Sequence, residues 1–219
     1  MYRKVIKRVL DIIISLAALI ILSPVLLAVA ILVRCKLGSP VIFHQERPGY
    51  HEKIFKLCKF RSMTDERDAE GNLLPDAVRL TKFGKILRTA SLDELPELWN
   101  ILKGDMSVVG PRPERPELAQ QYEKTMPEFE FRLQVKAGLT GYAQVTGLYD
   151  TLPYDKLKMD LMYIENYSIF LDLRIILMTL KTALFPGETN EEANAHDAQE
   201  LLYQEEQMQE QEQEKGDHS

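Results

Sequence analysis

Two neighbouring carboxylates stand in the decapeptide SLDELPELWN, residues 91–100. The apolar spacing around them predicts a compact helix from Leu92 to about Leu102. Ser91 followed three residues later by Glu94 fits a capping box, in which both side chains satisfy backbone donors at a helix start. Asp93 is not needed for such a cap. Because a helix start favours an ionised carboxylate and can hold a phosphate, Asp93 is the candidate nucleophile, and Glu94 is either a cap or a metal ligand.

Basic residues that could bind phosphate flank this decapeptide. They are Lys59 and Arg61 on one face of an extended segment, Lys85 and Arg88 on one side of a helix, and Arg112 between two prolines. Arginine suits bidentate phosphate contact, and lysine supplies a compact charge. The alternative is attachment to anionic lipid headgroups, which we favour for Lys82 and Lys85 more than for Arg88 or Arg112.

Several other chemistries lack support in the sequence. It contains no Asp-x-Asp pair, Walker A loop or Gly-x-Gly-x-x-Gly motif. Its four histidines and its two cysteines, Cys35 and Cys58, show no zinc or haem spacing, so two unpaired thiols are expected. No nucleic-acid-binding module is recognisable, and we predict no nucleic-acid partner.

An almost wholly apolar run extends from Val9 to Val33. As a helix it would reach roughly 37 Å, enough to cross a hydrocarbon core. However, basic residues flank both ends of the run, and Ser23-Pro24 interrupts it, where proline removes a backbone donor. Asp11 would also be costly in the bilayer interior. These features favour a re-entrant helix–break–helix over a spanning helix or a cleaved signal peptide.

The remaining segments predict an α+β domain that is mostly helical. A hairpin of two strands, 41–46 and 54–60, encloses a Pro-Gly turn. Predicted helices end near Tyr122 and cover about 154–166 and 171–185, and a short strand is expected within 137–147. The last of these helices is either an interfacial amphipathic helix or a buried core helix.

Charge divides the chain into a basic body and an acidic tail. Residues 1–186 carry 26 basic and 22 acidic residues, whereas residues 187–219 carry 11 acidic residues and one lysine. A net charge of about +4 suits a phosphorylated substrate or anionic lipid. We therefore divide the chain into a membrane helix (1–36), a catalytic domain (37–186) and a Glu/Gln-rich tail (187–219), which is expected to be disordered or loosely helical.

These motifs together resemble the bacterial sugar transferases, specifically the small monotopic phosphoglycosyl transferases. The resemblance covers about residues 2–184. Its landmarks are Ser23-Pro24, Lys59-Phe-Arg-Ser-Met63, Arg88 with Ser91-Leu-Asp-Glu-Leu-Pro96, Met106-Ser-Val-Val-Gly-Pro-Arg-Pro113, Gly138-Leu-Thr-Gly-Tyr-Ala-Gln144, Asp160-Leu-Met-Tyr-Ile-Glu-Asn166 and Leu171-Asp-Leu173.

The resemblance implies roles for individual residues. Asp93 matches a nucleophile that takes the phosphosugar and releases UMP, and Glu94 matches a ligand of the Mg²⁺ cofactor. The other expected site residues, assigned to substrate binding, are Lys59, Arg61, Arg88, Arg112, Gln144 and Asp172. The tail inherits no role.

The implied reaction moves a sugar 1-phosphate from a UDP-sugar to undecaprenyl phosphate and starts a surface glycoconjugate or exopolysaccharide. The enzyme is expected at the bacterial cytoplasmic membrane, with its catalytic domain on the cytoplasmic face and in contact with membrane lipid. The segment 110–117 resembles that of family members that transfer hexose phosphates, which implies a UDP-hexose donor. A homodimer is one arrangement left open. Two alternatives are a non-catalytic membrane scaffold and a glycosyltransferase that releases UDP.

Overall fold

The structure is a computed structural model that describes residues 2–147 and 151–184. It confirms the predicted mostly helical α+β class. The first half contains α1 (Lys7–Ile21), α2 (Ser23–Leu37), β1 (Ile42–Pro48), β2 (Ile54–Phe60), α3 (Asp76–Arg79), α4 (Lys82–Thr89) and α5 (Glu97–Lys103). The second half contains β3 (Ser107–Val109), α6 (Pro116–Thr125), β4 (Gly138–Thr140), α7 (Tyr142–Thr146), α8 (Pro153–Asn166) and α9 (Ile169–Leu184). The acidic tail predicted at 187–219 lies outside the described residues.

The apolar N-terminal run forms two helices that bend by 64° at the predicted break. Pro24 cannot donate the backbone hydrogen bond that a helix would direct to Ile20. The hydroxyl of Ser23 donates to that carbonyl instead, at 2.7 Å. No single helix in the described part of the chain is long and apolar enough to cross a membrane, but this bent pair could do so by length and composition.

The predicted hairpin is confirmed as an antiparallel pair in which Ile42 faces Phe60 and Pro48 faces Ile54. Along β2, Phe55 and Leu57 are buried, because alternate side chains of a strand point to one face. Lys59 follows on the same face. The hydrophobic side chains that bury this face of β2 therefore also direct Lys59 inward.

A short parallel pair, β3 and β4, lies inside the domain, with Ser107 opposite Gly138 and Val109 opposite Thr140. All three residues of β3 are buried. The core around it contains Met106, which directly precedes β3, and apolar residues of β2, α5, α8 and α9, including Leu57, Leu98, Ile101, Tyr163 and Ile175. Since β3 ends at Val109, this core fixes the start of the segment that carries Arg112.

Helix α9 has two unlike faces. Asp172 and Ile175 are buried in the domain, whereas four apolar residues spaced along the other face are exposed: Phe170, Leu173, Leu177 and Leu180. Neither sequence alternative describes the helix completely, because it contributes to the core and also presents an apolar surface.

Candidate active site

Asp93 and Glu94 lie in a single 3-10 turn, Leu92–Glu94, between α4 and α5. The expected continuous helix from Leu92 is wrong, since α5 begins only at Glu97. The capping box is also wrong. Ser91 adopts a left-handed conformation (φ 52°) and its side chain makes no capping hydrogen bond, so Glu94 is not required to stabilise a helix start.

Glu94 instead binds two cations that reach it from distant parts of the chain. Its Oε1 lies 2.7 Å from Nζ of Lys59 and 2.5 Å from Nη2 of Arg112. Burial alone would raise the pKa of Glu94, but the charges and hydrogen bonds of Arg112 and Lys59 outweigh it and hold that pKa well below its usual range. Glu94 is therefore an anion at any physiological pH.

Asp93 differs from its neighbour because it is buried without an ion-pair partner. Its relative exposure is 7%, and no hydrogen bond or salt bridge engages its carboxylate within residues 2–147 and 151–184. Burial and the adjacent Glu94 charge raise its pKa, while Lys59, Arg88 and Arg112 oppose that shift. The expected stabilisation by a helix start is absent, because Asp93 precedes α5.

Glu97 is a third carboxylate of the site, and the sequence reasoning did not identify it. It is only 3% exposed, and its Oε1 lies 3.3 Å from Nζ of Lys59. Burial, and then the nearby charge of Glu94, raise its pKa to about 7. Lys59 is therefore shared between an ionised Glu94 and a carboxyl that titrates near neutrality. Glu97 follows Glu94 by three residues in the sequence, but its contact with Lys59 of β2 is visible only in the folded structure.

Arg88 approaches the site from the last turn of α4. Its Nε donates to the hydroxyl of Ser62 at 3.0 Å, and its charge acts on Asp93. Lys82 and Lys85 of the same helix are exposed. Three of the predicted basic residues, Lys59, Arg88 and Arg112, are thus brought to the carboxylates.

Three other predicted substrate-binding residues are not brought there. Arg61 donates to the carbonyls of Ser39 and Met63 and pairs with Asp65. The strand ends at Phe60, so the alternation that directs Lys59 inward does not extend to Arg61.

Asp172 belongs to a separate buried cluster, in which it accepts hydrogen bonds from Lys7 at 2.6 Å, from Tyr163 at 2.7 Å and from Tyr2. This cluster attaches the start of α1 to α9. Gln144 is exposed on α7, and no hydrogen bond joins it to the carboxylates in the described residues. In the described ranges, Arg61, Asp172 and Gln144 therefore make no hydrogen bond or ion pair with Asp93 or Glu94.

The carboxylates of the site can be compared with the ligands that the expected magnesium ion would need. Within the described ranges no group of three or more His, Cys, Asp or Glu side chains could hold a metal ion. Mg²⁺ commonly takes only one or two carboxylates together with substrate phosphates. Glu94, which is ionised and adjacent to Asp93, fits that kind of site, and it would exchange a contact with Lys59 or Arg112 for the ion.

The sequence from residue 2 to residue 186 matches the model of a known family, described as bacterial sugar transferase. The chain belongs to this family. The match confirms the predicted family. Together with the sugar-phosphate transferases among the similar proteins, it also confirms the prediction of an enzyme of that class.

Similar proteins of this family include both short and long chains. An uncharacterized sugar transferase, EpsL, of Bacillus subtilis is 47% identical over 181 residues, which are 82% of this chain and 88% of that protein. A UDP-glucose:undecaprenyl-phosphate glucose-1-phosphate transferase of Klebsiella pneumoniae is 43% identical over 196 residues, 86% of this chain but 41% of that protein.

A UDP-N-acetylgalactosamine-undecaprenyl-phosphate N-acetylgalactosaminephosphotransferase of Aeromonas hydrophila is 38% identical over 184 residues, 82% of this chain and 44% of that protein. The chain thus spans less than half of the length of these two named bacterial sugar transferases, and most of the length of EpsL.

Proposed function

We propose that this bacterial sugar transferase moves a sugar 1-phosphate from a UDP-sugar to undecaprenyl phosphate, with Asp93 as a covalent nucleophile. The observation that carries the proposal is the contrast between the two adjacent carboxylates. Glu94 is ionised and forms ion pairs with Lys59 and Arg112, whereas Asp93 is buried and unpaired in the described structure. A desolvated carboxylate with free oxygens, surrounded by cations, is suited to attack a phosphorus atom.

In the first step an oxygen of Asp93 attacks the β-phosphorus of the UDP-sugar, and the bond from that phosphorus to the bridging oxygen breaks. UMP leaves with the bond's electron pair, and the sugar phosphate remains on Asp93 as an acyl phosphate. In the second step a phosphate oxygen of undecaprenyl phosphate attacks the same phosphorus and releases Asp93. The product is an undecaprenyl diphosphate sugar, and one site serves a soluble donor and a lipid acceptor in turn.

Basic residues make the approach of one anion to another feasible. Lys59 and Arg112 pair with Glu94, and the charge of Arg88 acts on Asp93. Such fixed charges stabilise a phosphoryl group and its leaving group. When bound, Mg²⁺ would neutralise further charge of the donor diphosphate, and Glu94 would hold the ion.

The proposed magnesium requirement predicts loss of turnover when a chelator removes divalent cations, and recovery when Mg²⁺ is added back.

A re-entrant membrane helix is part of the proposal because both ends of the α1–α2 pair contact the same domain. At the start of α1, Arg8 donates to the carbonyls of Ile101 and Leu102 at 2.6 and 2.8 Å. Near the end of α2, Val33 is fully buried against the domain. Between these ends, Ile20 and Ile21 beside the break are exposed apolar side chains.

This arrangement supports a break that lies in lipid and a chain that returns to the domain from which it started. The exposed apolar face of α9 gives the domain a second contact with the membrane surface. We accordingly place the enzyme at the bacterial cytoplasmic membrane, with its site on the cytoplasmic face, where it would start a surface glycoconjugate or exopolysaccharide.

The donor is proposed as a class, since the named relatives act on different sugars, glucose in one and N-acetylgalactosamine in another. The decisive experiment incubates purified enzyme with a panel of UDP-sugars and Mg²⁺, with and without undecaprenyl phosphate. Release of UMP and, without acceptor, a sugar-phosphate mass on the peptide containing Asp93 are expected. Release of UDP would favour direct glycosyl transfer, and release of neither nucleotide would favour a scaffold.

A further inference from the structure

The segment that carries Arg112 begins with the sequence Gly-Pro-Arg-Pro at residue 110 and has few backbone donors, because proline lacks an N–H. Its start is fixed by the strands. The amide of Gly110 donates to Thr140 and that of Gly138 donates to Pro111, both at 2.9 Å. The backbones of these two segments approach each other so closely that a Cβ on Gly138 would lie 2.1 Å from the nitrogen of Gly110. Past this point, side chains from other elements contact the segment's carbonyls.

Arg132 donates to the carbonyl oxygen of Arg112 at 2.9 Å through Nη2. Its Nε donates to Asp160 at 2.8 Å, and its guanidinium lies over the ring of Phe129 at 4.6 Å. Both Arg132 and Asp160 are buried. The ion pair and the ring therefore fix the direction in which this guanidinium meets the Arg112 backbone.

Arg47, in β1, makes the equivalent contact one residue later. Its Nη1 donates to the carbonyl of Pro113 at 2.9 Å, and its Nη2 donates to the side chain of Gln45 at 2.7 Å. Its buried Nε has no hydrogen-bond partner in the described residues, and burial lowers the pKa of this guanidinium. A buried donor without a partner is costly, so this contact is not explained by stability alone.

A buried ion pair such as Arg132–Asp160 is likewise weak evidence for stability. What the two arginines share is their target, the backbone at Arg112 and Pro113. The side chain of Arg112 in turn lies 2.5 Å from Glu94. A connected set of contacts therefore links Asp160, through Arg132 and the Arg112 backbone, to the carboxylates of the site.

We propose that Arg132, held by Asp160, and Arg47 are positioning residues that fix the backbone of the Arg112 segment so that its guanidinium reaches Glu94 and the donor diphosphate. The proposal rests on the proposed function, because that function assigns the donor diphosphate to Arg112. Neither arginine touches the reacting atoms. Each acts through Arg112.

The first test is Arg132→Lys. A lysine can keep the pair with Asp160, but one ammonium lacks the planar fork that also reaches the Arg112 carbonyl. The melting temperature should therefore change little, whereas kcat/KM for the UDP-sugar should fall about tenfold or more, which is about 1.4 kcal/mol in the barrier. Arg47→Lys should act in the same direction. An Arg132→Lys enzyme with unchanged kcat/KM would overturn the proposal.

Arg79→Lys is the matched control. Like Arg132, Arg79 binds a backbone carbonyl and a carboxylate. Its Nε donates to the carbonyl of Thr64 at 2.9 Å, and its Nη1 lies 3.2 Å from Asp76. Neither partner belongs to the Arg112 segment. This variant should retain the wild-type kcat/KM. An equal loss in Arg79→Lys would show that the assay reports general loosening of the fold, and would refute the specific role of Arg132.

A double-mutant cycle separates positioning from a structural role. In an Arg112→Met background, Arg132→Lys should lower the residual kcat/KM by less than about twofold, since the group it positions is gone. A second loss as large as the first would refute the proposal.

Failure of the proposed function would be recognised separately, as absence of UMP release by the wild-type enzyme. In that case calorimetry of UDP binding with Mg²⁺ gives the same comparison without turnover. Weaker UDP binding by Arg132→Lys but not by Arg79→Lys supports the positioning role, and equal binding by all three proteins, or none by the wild type, overturns it.

Discussion

At the scale of single residues, three carboxylates within five positions of the chain have three different environments. Glu94 is ion-paired, Asp93 is buried without a partner, and Glu97 shares Lys59 with Glu94. Because desolvation and neighbouring charges act on each group differently, their pKa values are driven apart. This difference gives each group a distinct capacity: Glu94 stays an anion, Asp93 is an unpaired carboxylate that suits the proposed nucleophile, and Glu97 can carry a proton at neutral pH.

Asp93→Asn tests the nucleophile. The amide keeps the size of the side chain but lacks the anion that attacks phosphorus, so we expect kcat to fall by at least about a thousandfold, roughly 4 kcal/mol in the barrier. The sugar-phosphate adduct should disappear from the mass spectrum. Asp155→Asn, at an exposed carboxylate paired with Lys158, is the control and should turn over normally. Comparable turnover by Asp93→Asn would assign the nucleophile to another group.

Glu97→Gln tests the electrostatics of the site through stability. The pKa of Glu97 rises from 4.5 to about 7 in the folded chain, so the folded state holds this proton more tightly than the unfolded state. The resulting stabilisation is complete below pH 4.5 and is lost as the pH rises through 7. The melting temperature of Glu97→Gln minus that of the wild type should therefore be more positive at pH 8 than at pH 4.5.

Thermal unfolding in detergent at the two pH values measures this difference. Glu128→Gln, which changes an exposed glutamate, should shift the melting temperature equally at both. A Glu97→Gln difference that is the same at pH 4.5 and pH 8 would show that Glu97 titrates alike in the folded and unfolded chains.

At the scale of elements, α4 positions Arg88 through an unusually close backbone contact. A Cβ on Gly84 would lie 1.8 Å from the carbonyl oxygen of Ser62. The same contact brings Arg88 to the Ser62 hydroxyl. Gly84 is thus needed for the approach of the helix to the strand end.

Gly84→Ala sets two effects against each other. Alanine favours a helix over glycine by about 1 kcal/mol, whereas forcing a methyl group into a filled space costs about 1–3 kcal/mol. Because the clash is with backbone, we expect a net loss of stability together with lower activity as Arg88 moves. Unfolding by denaturant measures the first effect and UMP release the second. Lys85→Ala, on the exposed side of α4, should lose no stability, and an equally stable Gly84→Ala would contradict the packing argument.

Local patterns predicted those parts of the fold that depend on neighbours along the chain. The hairpin, the break at Pro24 and most helices followed from strand alternation, proline chemistry and apolar periodicity. The capping box at Ser91 failed because local pattern competed with contacts across the chain. Glu94 binds Lys59, 35 positions away, rather than its own backbone.

The candidate site, like the fold, was predictable from the sequence only in part. Lys59, Arg88 and Arg112 have the charge that a phosphate site needs, and the fold brings them together. Arg61 has the same charge and lies two residues from Lys59, but the strand ends between them. No spacing in the sequence distinguishes these two residues, and none identifies Glu97 as the partner of Lys59, because burial and long-range pairing decide both.

At the scale of the whole molecule, both ends of the α1–α2 pair should lie on one side of the membrane. The chain offers two exposed positions for labelling: the native Cys35 near the end of α2, and Val5, before α1. Single-cysteine variants at each position, with the other cysteines changed to serine, should both react with an impermeant thiol reagent in inverted vesicles and not in intact cells. Tyr2 is less suitable, since its hydroxyl binds Asp172. Periplasmic reaction at position 5 would contradict the re-entrant arrangement.

The acidic tail should be dispensable for chemistry. Residues 187–219 carry a net charge of about −10 and follow the last described helix. In the part of the chain that the structure describes, the residues whose charges act on Asp93 lie between positions 59 and 112. A chain ending at residue 187 should therefore release UMP in detergent at a rate within about twofold of the full chain. A matched truncation after residue 168 removes α9 with the buried Asp172 and Ile175, and it should lose folded protein as well as activity. A tenfold lower rate for the 187-residue chain, with its melting temperature intact, would be about 1.4 kcal/mol in the barrier and would assign the tail a part in the site or in an active oligomer.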